Sequence, residues 1–303
     1  MSIAIPSVIG ISVPTGNYGE LFTKGWEISV SWNDRIGEVS YNVGINLFDQ
    51  IDKLVKYSNT NIVATYGGAG DGSNISSAYV QGYSLGAFFG FKTDGYFQTV
   101  EEAAAAPHIN SNPNVTAGDI KYLSLSGNPK TVSAPDDLAY IGNRIPRYVF
   151  GFNLGLQWRG WDFSALIQGV GKRDWYLGSD AIAPFVFDYG NVSFKHQRDS
   201  WSPDNPNALL PRQCVGSNYN YLSSDHWIQN AAYARLKNLQ LGYTFDKKWT
   251  KTIGIDRAKI YFSGENLTEI SKLLKAYDPE LTNAGGTMYP IMRNYSFGLN
   301  LTF

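Results

Sequence analysis

The sequence predicts an all-β protein whose strands cross a membrane: a segment of a transmembrane antiparallel β-barrel. Three observations predict it. Side chains alternate strictly with period two, several strands reach about ten residues, and the connections are alternately short and very long. Composition agrees. Charged residues are 17% of the 303-residue chain and aromatics 15%, with 31 glycines. Charge that sparse and aromatics that dense suit β-structure with a non-aqueous face. A formal charge of −1 leaves no basic field for nucleic acid. Cys214 is the one cysteine, which excludes an internal disulfide framework and a cysteine-rich zinc site. His108, His196 and His226 show no metal-ligand spacing. No metal or other cofactor is expected. No apolar run reaches the roughly 18 residues of a membrane helix. The opening MSIAIPSVIG lacks the charged start and apolar core of a signal peptide.

The first span covers residues 26–32, WEISVSW, with Trp26, Ile28, Val30 and Trp32 on one face and Glu27, Ser29 and Ser31 on the other. A short turn at 33–37 leads to residues 38–47, where Val39, Tyr41, Val43, Ile45 and Leu47 oppose Ser40, Asn42, Gly44 and Asn46. A long excursion, about 48–146, comes next. Its GGAGDG at 67–72 lacks the Lys-Ser/Thr and the helix of a phosphate loop. Residues 99–107, TVEEAAAAP, read as a short helix with Thr99 as N-cap and Pro107 as stop. The span at 148–158 carries Tyr148, Phe150, Phe152, Leu154, Leu156 and Trp158 on one face. Arg159 and Gly160 turn the chain into a span at 161–170. A second excursion, about 171–233, precedes spans at 236–245 and 258–264, joined by a moderate connection. A third, about 265–293, precedes the last span, where Tyr295, Phe297, Leu299, Leu301 and Phe303 oppose Asn294, Ser296, Gly298, Asn300 and Thr302.

Ten residues at about 3.3 Å each, tilted about 40°, rise roughly 25 Å, the height of the apolar band of an outer-membrane barrel. The other face is Ser, Asn, Gly, Gln and Thr, which a lumen tolerates and a water-facing sheet usually replaces with charge. Aromatics sit at strand ends, as interface girdles require. With the last strand descending, every short turn falls in the periplasm and every long loop outside. The alternative is a soluble, secreted β-sandwich that binds carbohydrate; it too alternates, but long structureless loops are rare in compact sandwiches. Seven spans is an odd number where single-chain barrels have even ones. The chain is therefore expected to lack an N-terminal part.

The last third reads AYARLKNLQLGYTF, then AKIYFSGENLTEISKLLKAYDPE, then MYPIMRNYSFGLNLTF. These stretches, with LFTKGWEISVSW, IPRYVFGFNLGLQWRGWDFSALIQGVGKRDWY and WSPDNPNALLPR upstream, resemble SusC/RagA-type TonB-linked outer-membrane transporters. The resemblance covers essentially the whole chain in order, and the combination of motifs is specific where no single one is. It implies the C-terminal part, residues 1–303, of a 22-stranded barrel, without the plug and N-terminal strands. It implies active import of oligosaccharides or peptides in the bacterial outer membrane, a SusD-like surface lipoprotein above, and TonB below through the missing N-terminal part. No enzymatic activity is implied. The family's acidic GDIxYxDxNGDG-like segment is altered: Gly118-Asp119-Ile120-Lys121-Tyr122 is followed by LSLSGN, so no cation site carries over.

Two groups of candidate residues remain. Ser296, Gly298, Leu301 and Phe303 fit the polar-x-Gly-x-x-apolar-x-aromatic signal read by the outer-membrane assembly machinery, which captures an open strand edge by augmentation. Trp175, Tyr176, Trp201, Tyr219, Tyr221 and Trp227 lie in or beside the second excursion and could stack on a glycan or grip a peptide. The competing expectation is that they pack the loop upon itself. Asp225-His226 has no candidate nucleophile and reads as a loop hydrogen bond. Asp278-Pro279-Glu280 reads as a loop feature, since adjacent extended carboxylates point apart.

Overall fold

The computed structural model describes residues 19–57, 80–177, 198–214, 219–275, 277–281, 289 and 291–303. The GGAGDG stretch and the opening segment lie outside the described residues. In chain order the elements are β1 (Glu20–Ile36), β2 (Val39–Lys56), β3 (Ala87–Phe91), β4 (Thr93–Tyr96), α1 (Val100–Ala105), β5 (His108–Ile109), β6 (Ile120–Tyr122), β7 (Thr131–Val132), β8 (Leu138–Asn143), β9 (Arg147–Trp158), β10 (Trp161–Lys172), β11 (Asp174–Tyr176), β12 (Ile228–Asn230), β13 (Tyr233–Thr244), α2 (Lys247–Thr250), β14 (Arg257–Ser271) and β15 (Asn294–Thr302). Two compact units result. Residues 51–144 and 176–228, with those before 25, form one; residues 25–50, 145–175 and 229–303 form the other.

The second unit carries the long strands. They form one seven-stranded sheet in the order β1-β2-β9-β10-β13-β14-β15, so each of the seven expected spans is a strand and sequence neighbours pair. Every described register in this sheet is antiparallel. The pairing Phe163↔Leu156, Phe163↔Leu241, Leu241↔Phe262 and Phe262↔Phe297 keeps apolar residues in one row across five strands. The neighbouring row, Ser164↔Gly155 and Ser164↔Gln240, is polar and belongs to the opposite face. Against β10, Lys237 is the extra residue of a bulge between Leu236 and Asn238, which re-aims the strand where β13 enters the sheet.

The apolar face is uncovered among the described residues: Phe297 is 84% exposed, Leu299 63% and Val30 59%. A soluble sheet buries such a row, because each large apolar side chain left in water forfeits about 1.5 to 3 kcal/mol. The β-sandwich alternative therefore does not hold: there is one large sheet, and its apolar face has no second sheet against it among the described residues.

The strands outrun the alternation that announced them. β2 continues to Lys56 and β14 to Ser271, beyond the apolar stretches that end at Leu47 and Gly264. The extra residues of β14 still pair, Glu265↔Asn238 through Ser271↔Tyr233. Backbone pairing needs no apolar face; only the alternation stops. The first and third excursions accordingly begin later than residues 48 and 265.

The first unit is not structureless loop. Its core is Phe88, Phe89, Phe91, Phe97, Ile120, Tyr122 and Val132, all buried. Three two-stranded sheets surround it, β3 with β8, β4 with β6 and β5 with β7. Helix α1 forms where expected. Thr99 accepts a hydrogen bond from the Glu102 N–H at 3.1 Å, while the Glu102 carboxylate accepts from the Gln98 N–H at 2.8 Å.

Candidate functional site

The six loop aromatics fall into two neighbourhoods. In the first unit, Tyr219 meets the Tyr122 ring edge-on at 5.2 Å, and the Tyr122 hydroxyl donates to the Tyr219 carbonyl at 2.8 Å. Tyr221 stacks on Trp227, whose indole N–H donates to the Asn220 carbonyl at 3.1 Å. Tyr176 packs near Phe88. Tyr176, Tyr219, Tyr221 and Trp227 are all buried. Burial pushes the phenol of Tyr176 up to about 12, and those of Tyr219 and Tyr221 well above the ordinary tyrosine value. These phenols stay neutral and pack as ring-filling spacers, Tyr176 with a side-chain hydrogen bond to Ser223.

Trp201 is half-buried. It lies over Gly118, which has φ +85°, and a Cβ on Gly118 would collide with the Trp201 ring and with Arg212. Beside it, the Asp119 carboxylate accepts from Arg212 Nε at 2.7 Å and Nη2 at 3.2 Å, from Asn220 Nδ2 at 2.8 Å and from the Thr116 N–H at 2.9 Å. Asp119 is thus fully engaged in tying three loop segments together.

Asp225 and His226 work the same way. Asp225 accepts from the Thr93 N–H at 3.0 Å and hydroxyl at 2.7 Å and pairs with Lys92. His226 Nε2 lies 3.0 Å from the Tyr96 hydroxyl. Burial brings its imidazole down to about 4, so it is neutral at pH 7.

The second neighbourhood lies in the second unit. Trp175 is buried with Ala231 and Leu273, with Tyr277 and Leu281 packed against them. Arg173 lies over the Trp175 ring and donates through Nη1 to the Pro279 carbonyl at 2.9 Å. Here the Asp278-Pro279-Glu280 segment is gripped. Arg235, 2% exposed at its side chain, donates through Nη2 to Asp278 Oδ2 at 2.7 Å. Its Nη1 sits 2.8 Å from Glu280 Oε1 as an ion pair off the hydrogen-bonding direction. Lys237 Nζ donates to Glu280 Oε2 at 2.9 Å. Both cations project from the polar side of β13, Arg235 opposite Gln168 and Lys237 from the bulge.

Sequence reasoning placed the two acids in a loop and missed their partners. The bulge breaks the alternation that would have put Arg235 and Lys237 on one face. The remaining signal, two cations beside a turn from loop to strand, is weak.

The final strand is an edge. Ser296, Gly298, Leu301 and Phe303 all lie on or at the end of β15, which pairs only with β14 among the described residues. Gly298 is opposite Tyr261, whose ring occupies the space a Cβ there would need. Phe303 is 84% exposed.

A scan of protein-family models finds no match. Among curated proteins, TonB-dependent receptor P3 of Formosa agariphila is 26% identical over 320 residues, covering 99% of this chain and 30% of that protein. TonB-dependent receptor P26 of the same organism is 27% identical over 327 residues, covering 100% of this chain and 31% of that protein. TonB-dependent receptor SusC of Bacteroides thetaiotaomicron is 25% identical over 301 residues, covering 95% of this chain and 27% of that protein. The chain spans about a third of the length of the curated relatives it matches. Among solved structures, the RagAB peptide transporter superposes with a TM-score of 0.68 at 19% identity, over 100% of this chain and 32% of that one. The last comparison speaks to fold alone. Along essentially its whole length, then, the chain is similar to about a third of TonB-dependent receptors such as SusC, and its seven long strands have the fold of a segment of such a transmembrane β-barrel.

Proposed function

We propose that this chain is the C-terminal barrel part of an energy-coupled nutrient importer of the bacterial outer membrane. It supplies barrel wall, surface loops and assembly signal rather than a catalytic centre. One observation carries the reading: a single antiparallel sheet that exposes one apolar face, keeps the other polar, and is similar over its full length to TonB-dependent receptors. In this reading the polar face lines the lumen, the short turns are periplasmic and the long excursions are extracellular. The substrate is an oligosaccharide or peptide. A SusD-like lipoprotein sits over the loops, and TonB engages a part of the receptor other than these strands.

The buried state of Tyr176, Tyr219, Tyr221 and Trp227 supports a scaffolding part for them in the loops, behind the surface that meets substrate. Trp201, half-buried, keeps a face for contact. Ser296, Gly298, Leu301 and Phe303, on an open edge strand, suit capture by the assembly machinery. The test is made on the full receptor gene carrying this chain. The product should fractionate with outer membranes and run as a heat-modifiable band, and its deletion should abolish growth on one class of oligosaccharide or peptide. A product recovered in the soluble fraction without detergent would overturn the reading.

A further inference from the structure

The uncovered apolar face is not uniform. Where β13, β14 and β15 run side by side it holds a groove of about 560 Å³. Trp161, Leu241, Tyr243, Ile260, Phe297 and Leu299 are among its lining residues. That volume falls within the range of small-molecule sites, about 300 to 1,000 Å³. Its end is defined by pairing: Tyr243↔Ile260 lies one pair before the last one described, Thr244↔Lys259, after which the chain leaves the sheet.

The moderate connection from β13 to β14 is unlike the short turns. Asp246 caps α2, accepting from the Lys248 N–H at 2.9 Å. The turn then presents Lys247, Lys248, Trp249 and Lys251, all exposed, and Trp249 is 68% exposed. Lys247 pairs with Asp256 at 3.1 Å. Among the described residues Lys248 and Lys251 form no ion pair. An indole left 68% exposed, flanked in sequence by lysines, is an unfavourable arrangement in water because of its apolar ring. It is a good one at a headgroup layer, where amphipathic rings settle and cations meet phosphate.

We propose that the groove and this turn form a binding site for one anionic glycerophospholipid of the periplasmic leaflet. An acyl chain lies along the groove between Leu241, Ile260 and Leu299, and the phosphate is held by Lys248 and Lys251, with Trp249 at the ester level. The inference rests on the outer-membrane barrel reading above. The charge complementarity of the turn selects the occupant: a zwitterionic lipid fills the groove equally well but gains nothing net from two unpaired lysines.

The full receptor, extracted in mild detergent, is titrated with phosphatidylglycerol or phosphatidylcholine, and retained lipid is counted by native mass spectrometry. Wild type should retain one phosphatidylglycerol in preference to phosphatidylcholine. Each lysine near an anionic headgroup is worth about fivefold, so Lys248→Glu with Lys251→Glu should weaken phosphatidylglycerol retention by about 25-fold or more and leave phosphatidylcholine unchanged. Ile260→Trp, which fills the groove, should weaken both lipids alike. Heat-modifiable migration is recorded for every variant. A protein that is never heat-modifiable defeats the barrel reading itself. A heat-modifiable barrel that does not prefer phosphatidylglycerol, or whose double lysine variant retains it as well as wild type does, overturns the lipid site alone.

Discussion

Replacing Arg235 with Met should release the segment carrying Asp278, Pro279 and Glu280 without unfolding the sheet. The guanidinium is almost wholly buried and meets two carboxylates that are 14% and 19% exposed. Removing one partner from such a buried set leaves charge unpaired, at about 3 to 5 kcal/mol. Lys237, 2.9 Å from Glu280, still compensates one carboxylate, which places the loss near the lower end, about 3 kcal/mol. The strand pairing of β13 does not depend on this side chain, so the loss is local. Hydrogen exchange in the full receptor reads it directly at the Leu281 and Glu280 amides, which donate to the Asp278 carbonyl at 3.1 Å and carboxylate at 2.9 Å. Exchange there should quicken on the order of a hundredfold, at 1.4 kcal/mol per decade. Adding Asp278→Asn and Glu280→Gln to Arg235→Met should restore most of the protection, because the orphaned charges are gone. Less than threefold acceleration in the single variant, or a triple variant no better than the single, would refute the argument that unpaired charge dominates.

Arg placed at Phe152 or Leu154, on the apolar face, should destabilise the folded barrel by about 2 to 4 kcal/mol in a bilayer, against little for Arg at Asn153; equal cost in folding titrations would mean the faces are assigned the wrong way round. Gly118→Ala should cost about 2 to 4 kcal/mol of loop stability through its left-handed backbone and the collision with Trp201, seen as faster proteolysis of the surface loops. His226 is held neutral, with its folded value near 4 against an ordinary 6.5. The unfolded loop therefore binds more protons, so loop stability should be constant above pH 6.5 and fall by at most about 3 kcal/mol as pH drops from 6.5 towards 4. His226→Phe should flatten that profile in pH-dependent proteolysis. Deleting Phe303, 84% exposed at the end of the edge strand, removes at most about 2 kcal/mol, the value for a ring buried at the bilayer interface. It should lower surface abundance several-fold while the surviving receptors import normally; normal abundance with lost import would move Phe303 from assembly to function.

Seven strands were legible because an apolar medium on one side imposes period two, and Val39 to Leu47 or Tyr148 to Trp158 keep to it without a break. The same cause limited the reading. The pattern marks the apolar band and not the strand, so the continuation of β2 to Lys56 and of β14 to Ser271 carries no alternation to read. The loop unit was illegible for another reason. Its pieces of strand are two to six residues long, too short for any period to emerge, and Phe91 and Tyr122 meet edge-on at 5.7 Å by long-range packing alone. Helix α1 was the exception, since its cap and its proline stop are local chemistry. The Arg235 cluster joins residues 43 positions apart across a bulge, and no local rule links a strand arginine to a loop aspartate.

A quieter feature of the sheet is the empty position at Gly242. It faces Asp162 on β10 and Tyr261 on β14, and a Cβ there would press on Asp162 and Lys259 together. Because nothing stands in the way, the Lys259 ammonium reaches the Asp162 carboxylate at 2.8 Å. Strands β10 and β14 share no ladder, yet they are stitched to one another over the strand between them. A one-residue slip in either intervening ladder would send one charge to the opposite face and break the stitch. Three residues on three strands thus serve as a check on register at the short-turn end of the sheet. The check works only while the middle strand contributes a hydrogen where every other residue would put a side chain.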